Sequence, residues 1–296
     1  MSMTSELDLD NFPTLKLKHV HIKDKKNLLK TINIILKGGC NSLQVVTDFD
    51  LTLTKQHVNG RKVLSSFGVF SKCKQLPETY AHESGRLYKK YRPIEIDPHL
   101  SVEIKAKAMT NWMVGAEHIL KGIPFDPCEI SEVAKVYGTN LRDGTRDFFK
   151  KLSAVDIPVL VFSAGLGDVV KEILKNEEVL FDNVKIISNF LKYEDGKLMG
   201  FENERLIHVF NKNEHAVEQE YFKIIEGRKN VLLMGDTTGD ASMVDGMEDT
   251  NAVLKIGFLY DNAENSLASY MEVFDIVLVD DQTMHAPMDI LQRLLS

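Results

Sequence analysis

The chain has 296 residues, which suits one large domain or a core carrying a substantial inserted piece. Hydrophobic residues make up 44% and charged residues 27%, an ordinary globular balance, and the formal net charge of −7 argues against binding a nucleic-acid polymer through a basic surface. The same charge means that a phosphate substrate must be met by local donors or a metal ion.

No apolar run reaches the roughly 18 residues of a membrane span. The acidic, polar start "MSMTSELDLDNF" is no signal or transit peptide, so a cytoplasmic protein is expected. Cys40, Cys73 and Cys128 are widely spaced without a CxxC pair and read as buried free thiols.

In chain order, "HVHI" (19–22) predicts a short strand whose two histidines share one face of a sheet edge rather than hold a metal. Asp24 then caps a helix carrying Leu28, Leu29, Ile32, Ile35 and Leu36, stopped by Gly38-Gly39. "LQVVTDFDLTLT" (43–54) opens as the continuous apolar strand of a parallel sheet covered on both faces. Similar runs recur at 157–162, 184–188, 230–235, 252–258 and 275–280, and helical patterns such as 141–153 and 167–176 lie between them. This alternation predicts a doubly wound parallel α/β sheet, with its site at the carboxyl ends of strands.

One interval breaks the alternation. From Gln56 to Val136 no strong strand run appears, while Met109, Trp112, Met113, Ala116 and Leu120 recur at helical spacing. A mostly helical cap over 56–136 is therefore expected to fold as a lid over a core of 1–55 and 137–296.

Three strands end in polar residues. The first delivers Asp48 and Asp50, and alternation in an extended chain turns residues two apart the same way, so both carboxylates are expected to face one pocket. "VLVF" runs into Ser163 and a small-residue stretch suited to an anion, and "VLLMG" runs into Asp236 and Asp240. Gathered carboxylates repel unless a cation neutralises them, and oxygen ligands of this kind suit Mg²⁺. A carboxylate can attack phosphorus, a second can serve as acid and base, and a lysine can meet the remaining charge. Lys212, in the polar "HVFNKNE" loop, is the candidate.

Each part has a plainer explanation. A lone DxD is weak, although a calcium loop fails here because Leu53 stands where glycine is needed and Asn59 where glutamate is needed. Ser163 alone suits a helix cap, and Lys212 alone a solvated surface charge. The order DxDxT, S, K, GDxxxD, each in its structural context, is what carries the chemistry.

That order resembles the haloacid dehalogenase superfamily, with "DFDLT", Ser163, Lys212 and "GDTTGD" as its four motifs. The resemblance implies Asp48 as nucleophile and Asp50 as acid/base. It implies Mg²⁺ on Asp48, Asp236 and the backbone carbonyl of Asp50, with Asp240 assisting. Thr52, Ser163, Ala164 and Lys212 would bind phosphate, and the insertion would be a C1-type cap.

"YRPIEIDPHLSVEIK", "FSAGLGDVVKEIL", "IHVFNKNE", "LMGDTTGDASMVDG" and "LKIGFLYD" further resemble the type-III cytosolic 5′-nucleotidases, also called pyrimidine 5′-nucleotidases, across nearly the whole chain. By that resemblance Glu95 contacts the base and cap aromatics pack on its faces. Phe67 stands where the pyrimidine-preferring type has histidine, and Ala116 where it has serine, as in the 7-methylguanosine phosphate-specific type. Met113 departs from the aromatic of both types, which leaves Trp112 or another ring to complete the stack. N7-methylated guanine is cationic, so a ring at Phe67 or Trp112 gains cation–π energy and Glu95 favours the positive base.

The expectation is a monomeric, Mg²⁺-dependent 5′-nucleotidase. It would hydrolyse 7-methyl-GMP, CMP and UMP through an aspartyl-phosphate. Two alternatives stay open: phosphotransfer to a nucleoside, and a non-catalytic nucleotide-binding module. The intact pair Asp48 and Asp50 argues against the second.

Overall fold

The apolar runs become strands of one sheet because each buries side chains on both of its faces. A computed structural model describes residues 7–97, 99–212, 225–247 and 249–296. Its main sheet comprises β1 (Val20–Ile22), β2 (Leu43–Thr47), β5 (Val159–Leu166), β6 (Val184–Asn189), β9 (Asn230–Gly235), β10 (Ala252–Leu259) and β11 (Ile276–Val279), in the order β1-β11-β10-β9-β2-β5-β6. All pairings are parallel except that of β1, an edge strand, with β11.

Alternation along the strands builds two apolar layers. Val45, Val159, Val161, Leu232 and Leu254 enter one, and Val46, Leu160, Phe162, Val231 and Leu233 enter the other. Helix α1 (Lys25–Gly38) packs against β9 and β10, its start capped by the Asp24 carboxylate accepting from the Lys26 and Asn27 amides at 2.9 and 3.0 Å. It stops at Gly39, whose φ of 69° would be costly for a residue with a Cβ. Also around the sheet lie α6 (Thr145–Ala154), α7 (Gly167–Asn176), α8 (Ala263–Val273) and α9 (His285–Leu295). The doubly wound α/β expectation holds.

The interval 56–136 is mostly helical: α2 (Ser66–Phe70), α3 (Glu78–Ile96), α4 (Val102–Leu120) and α5 (Cys128–Tyr137). Helices α3 and α4 pair with each other, while α2 and α5 pack against α7. Two hairpins lie outside the sequence expectation. β3 (His57–Val58) and β4 (Arg61–Lys62) turn through Asn59 and Gly60, both at positive φ. β7 (Leu191–Glu194) and β8 (Lys197–Phe201) turn through Asp195 and Gly196 in the same way, and β8 packs against α4. Asn-Gly and Asp-Gly are the dipeptides that such turns favour, but the flanking runs are too short and too polar to read as strands.

The thiols are unpaired, and one expectation about them is corrected. Only Cys73 is buried; Cys40 is half-buried and Cys128 is exposed at the start of α5, which turns it to solvent. Among the described residues no helix is long and apolar enough to cross a membrane.

Candidate active site

Strands β9, β2 and β5 are neighbours, and Thr47, the last residue of β2, is in register with Met234 and Val161. Parallel pairing points all three carboxyl ends the same way, so Asp48, Ser163 and Asp236 emerge side by side. The Asp48 amide continues the ladder to the Met234 carbonyl at 3.0 Å. Sheet topology alone thus gathers three segments that are far apart in sequence.

Lys212 lies at the centre, 2% exposed. Its ammonium donates to Asp48 Oδ1 at 2.6 Å and to the Phe162 carbonyl at 3.3 Å, and forms an ion pair with Asp240 Oδ1 at 2.5 Å. The other oxygen of Asp240 accepts from the Thr237 amide and hydroxyl at 2.9 and 2.8 Å. Thr52 donates weakly to Asp236 Oδ1 at 3.5 Å, and the Tyr270 hydroxyl donates to the Asp236 carbonyl at 2.5 Å. Carboxylate oxygens of Asp48, Asp236 and Asp240 lie within 4.8 Å of one another.

The charges do not balance. Burial, with the charges of Asp240 and Asp50, outweighs Lys212 and pushes the Asp48 carboxyl up to about 7. Burial and the charges of Asp48 and Asp240 raise Asp236 well above the usual carboxylate range. Burial opposes the charge on Lys212, but Asp240 and Asp48 overcome it and raise its pKa. Three crowded carboxylates facing one ammonium form an all-oxygen donor set short of positive charge, the chemistry a hard divalent cation satisfies.

Asp50 lies just past β2, ahead of the turn that Leu51 makes at φ of 63°. Its carboxylate accepts from the Ser66 amide at 2.7 Å and the Ser66 hydroxyl at 2.6 Å. The turn is held from behind by Arg142, a buried cation that donates to the carbonyls of Thr52 (2.6 Å), Leu51 (2.5 Å) and Asp281. Its guanidinium lies 3.9 Å from the Phe258 ring centroid. Burial lowers the Arg142 pKa to about 9 against the opposing carboxylates of Asp281 and Asp236.

The irregular carboxyl end of β5, from Ser163 on, is held similarly. Asn189 donates to the carbonyls of Ala164 and Ile207 at 3.1 and 2.9 Å, and Ser188 donates to the Gly165 carbonyl at 3.0 Å. In a trans peptide the carbonyl and the next amide point oppositely, so these grips turn the Gly165 and Leu166 amides to the other side. There Ser163 Oγ and Ser66 Oγ accept them, each at 3.0 Å. Neither Ser66, Asn189 nor Arg142 was singled out by the sequence. Only long-range contacts reveal their use.

The five cap candidates are held by separate contacts. Phe67 on α2 meets Phe201 of β8 edge-on at 6.5 Å. Glu95 on α3 accepts from Arg92 at 2.6 Å. Trp112 on α4 stacks on Tyr91 at 6.0 Å and 17°. Met113 is 8% exposed and belongs to the apolar core, while Ala116 is half-buried. Burial opposes the Arg92 charge, but Glu95, with smaller contributions from Tyr88 and Asp236, raises its pKa.

Helix α4 also meets the segment after β8 at His208. Its Nδ1 accepts from the Phe210 amide at 3.2 Å, so the ring proton sits on Nε2 and is donated to Thr110 Oγ1 of α4 at 3.1 Å. Burial, aided by Arg205, lowers the His208 pKa from 6.5 to about 4. The unfolded chain therefore binds the extra proton first, and stability is complete above pH 6.5 and falls as the pH drops toward 4. In denaturant titrations over that window, His208→Gln is expected to flatten the decline relative to the parent. An identical slope in both proteins would show that His208 is not a source of the acid sensitivity.

The model of one family, pyrimidine 5′-nucleotidase (UMPH-1), matches residues 51–295. A 7-methylguanosine phosphate-specific 5′-nucleotidase of Drosophila melanogaster is 44% identical over 288 residues, 96% of this chain and 90% of that protein. The crystal structure of cytosolic 5′-nucleotidase IIIB bound to cytidine superposes with a TM-score of 0.93 at 43% identity, covering 98% of each chain. A substrate-bound phosphoserine phosphatase, at 21% identity and a TM-score of 0.51 over 83% of this chain and 96% of its own, shares the haloacid dehalogenase-like fold. A family match over most of the length and relatives this similar place the chain in the pyrimidine 5′-nucleotidase family, as a 5′-nucleotidase of the phosphoric monoester hydrolases.

Proposed function

We propose that the chain is a Mg²⁺-dependent 5′-nucleotidase that hydrolyses 7-methyl-GMP and the pyrimidine monophosphates CMP and UMP through an aspartyl-phosphate on Asp48. The observation that carries this reading is the cluster of buried Asp48, Asp240 and Lys212 with half-buried Asp236, gathered where adjacent parallel strands end.

In the first step a carboxylate oxygen of Asp48 attacks phosphorus, the bond from phosphorus to O5′ breaks, and Asp50 gives its proton to O5′. In the second, Asp50 takes a proton from water, whose oxygen attacks phosphorus and releases Asp48 and inorganic phosphate. Lys212 keeps its charge throughout and meets the negative charge of Asp48 and of the phosphoryl oxygens. Thr52, Ser163 and the Ala164 amide orient the phosphate. Bound by Asp48, Asp236 and the Asp50 carbonyl, Mg²⁺ would offset the repulsion between carboxylates and substrate, with Asp240 supporting through Lys212.

Base recognition belongs to the cap: Glu95 toward the base edge, Phe67 and Trp112 toward its faces, and Met113 and Ala116 shaping the wall. The 7-methylguanosine specificity in the name of the Drosophila relative and the cytidine in the neighbouring structure support this choice of bases. The division into a core of 1–55 and 137–296 and a cap of 56–136 is part of the proposal. So are a monomeric state and a cytoplasmic location, the latter supported by the word "cytosolic" in the neighbour's name.

Phosphate release from 7-methyl-GMP, CMP, UMP, AMP and GMP tests the reading. The first three are expected to turn over, 7-methyl-GMP about tenfold faster in kcat/KM than GMP, from a cation–π gain of roughly 1–2 kcal/mol. Chelation of divalent cations should abolish release and added Mg²⁺ should restore it. No activity above the chelated control would reject the reaction, and a strong preference for AMP would reject the choice of bases.

A further inference from the structure

Both oxygens of Asp50 are taken by one residue. The Ser66 amide donates to Oδ1 at 2.7 Å and the Ser66 hydroxyl to Oδ2 at 2.6 Å. Ser66 opens α2, the first helix of the cap interval, and is 1% exposed. Its hydroxyl oxygen also accepts the Leu166 amide at 3.0 Å. A hydroxyl has a single proton, and the amide can only donate, so the polarity is set: Leu166 N–H to Ser66 Oγ, Ser66 O–H to Asp50. One side chain thus ties the first motif, the cap's first helix and the end of β5.

Helix capping does not account for it. Ser65 is the N-cap, and its own hydroxyl accepts from the Gly68 amide at 3.3 Å. Gly165 supplies an independent observation. Its backbone lies outside the left-handed region, so conformation does not demand glycine there. Space does: a Cβ at Gly165 would lie 2.1 Å from Ser66 Oγ and 2.7 Å from Asp50 Oδ2. The end of β5 beside the phosphate site is pared to the backbone where the Ser66–Asp50 pair passes.

We propose that Ser66 is a positioning residue for the acid/base: the first turn of α2 aims the Asp50 carboxylate, and Gly165 leaves the room for it. Protonation of the leaving oxygen is thereby tied to the seating of α2 against β5 and α7. The inference rests on the reading of Asp50 as the acid/base.

A pair of substrates separates positioning from a general structural role. CMP leaves as an alkoxide that needs a proton; its analogue with sulfur in place of O5′ leaves as a thiolate that does not. kcat/KM reports the first phosphoryl transfer, where the proton is given. Ser66→Ala is expected to lose about 10–100-fold on CMP, and no more than about threefold on the sulfur analogue, within the range a misplaced general acid forfeits. Retained turnover of the analogue also reports an intact fold. Gly165→Ala crowds the pair from the opposite side and should show the same selective loss, so the test survives poor folding of either variant.

Equal losses on both substrates, or unchanged turnover of CMP, would overturn the role of Ser66. Asp50→Asn serves as the reference. Selective loss there beside an unselective Ser66→Ala removes only the present inference, whereas no selective loss in Asp50→Asn removes the acid/base reading itself.

Discussion

Asp48→Asn is expected to lose phosphate release by roughly 10⁴-fold or more in kcat while still binding nucleotide, since removal of a nucleophile costs on this scale. The fold should not suffer. An amide oxygen can take the place of Asp48 Oδ1 against the Lys212 ammonium, now 2.6 Å away, so the contact survives. The exchange also removes one of the carboxylates that raise Asp236, so the variant is expected to be at least as stable as the parent. Stopped release with nucleotide binding retained, followed by calorimetry, together with an unlowered denaturation midpoint, is the anticipated combination. Unchanged turnover is incompatible with Asp48 as nucleophile. Lost turnover also argues against a mere binding module, which has no need of the carboxylate.

Lys212→Met should harm both stability and activity. The ammonium sits buried between Asp48 and Asp240, and breaking a buried pair from one side leaves carboxylate charge uncompensated, a cost of about 3–5 kcal/mol. The sign with pH follows from the carboxylates. With Lys212 present Asp48 titrates near about 7, and without it burial is less opposed and the pKa rises further. Below neutrality Asp48 is therefore increasingly neutral in the variant, and the stability gap to the parent narrows. Lys212 itself is charged in both folded and unfolded chains there, because its raised pKa lies above the ordinary 10.5. Urea titrations at pH 5.5 and 8 should show the larger gap at pH 8, and Mg²⁺ should recover part of it. Turnover is expected to fall about 10²–10³-fold, the loss typical of removing one stabilising group from a developing charge. A variant as stable as the parent at pH 8 would mean that Lys212 does not hold the acidic cluster together.

The arrangement of charge explains why these two substitutions differ. Asp48 contributes to a surplus of negative charge that the described residues do not balance, so losing it relieves repulsion. Lys212 is the positive member of the cluster, so losing it adds to that surplus. On the proposed mechanism, attack by the Asp48 carboxylate requires this crowding of charge, and stability is the quantity that yields.

Much of this was legible without coordinates. A strand between two layers of helices must be apolar throughout, and runs such as 230–235 announce that locally, to the residue. Parallel strands must place their carboxyl ends together, so Asp48, Ser163 and Asp236 could be assigned to one edge of the sheet from their positions after such runs. The Asp24 cap and the Gly39 stop are likewise local events, written within a few residues.

Other features were settled only in three dimensions. The partner that meets both oxygens of Asp50 is Ser66, 16 positions away, and nothing local announces it. Arg142 holds the turn at Leu51 from 91 positions beyond it, and Asn189 holds the end of β5 by the Ala164 carbonyl. The hairpin of β7 and β8 became visible as a support for α4 only when the two were packed. Periodic burial is a property of neighbouring residues and survives in one dimension. The direction of a side chain in a turn depends on which distant donor reaches it, and that is decided by how the whole chain closes on itself.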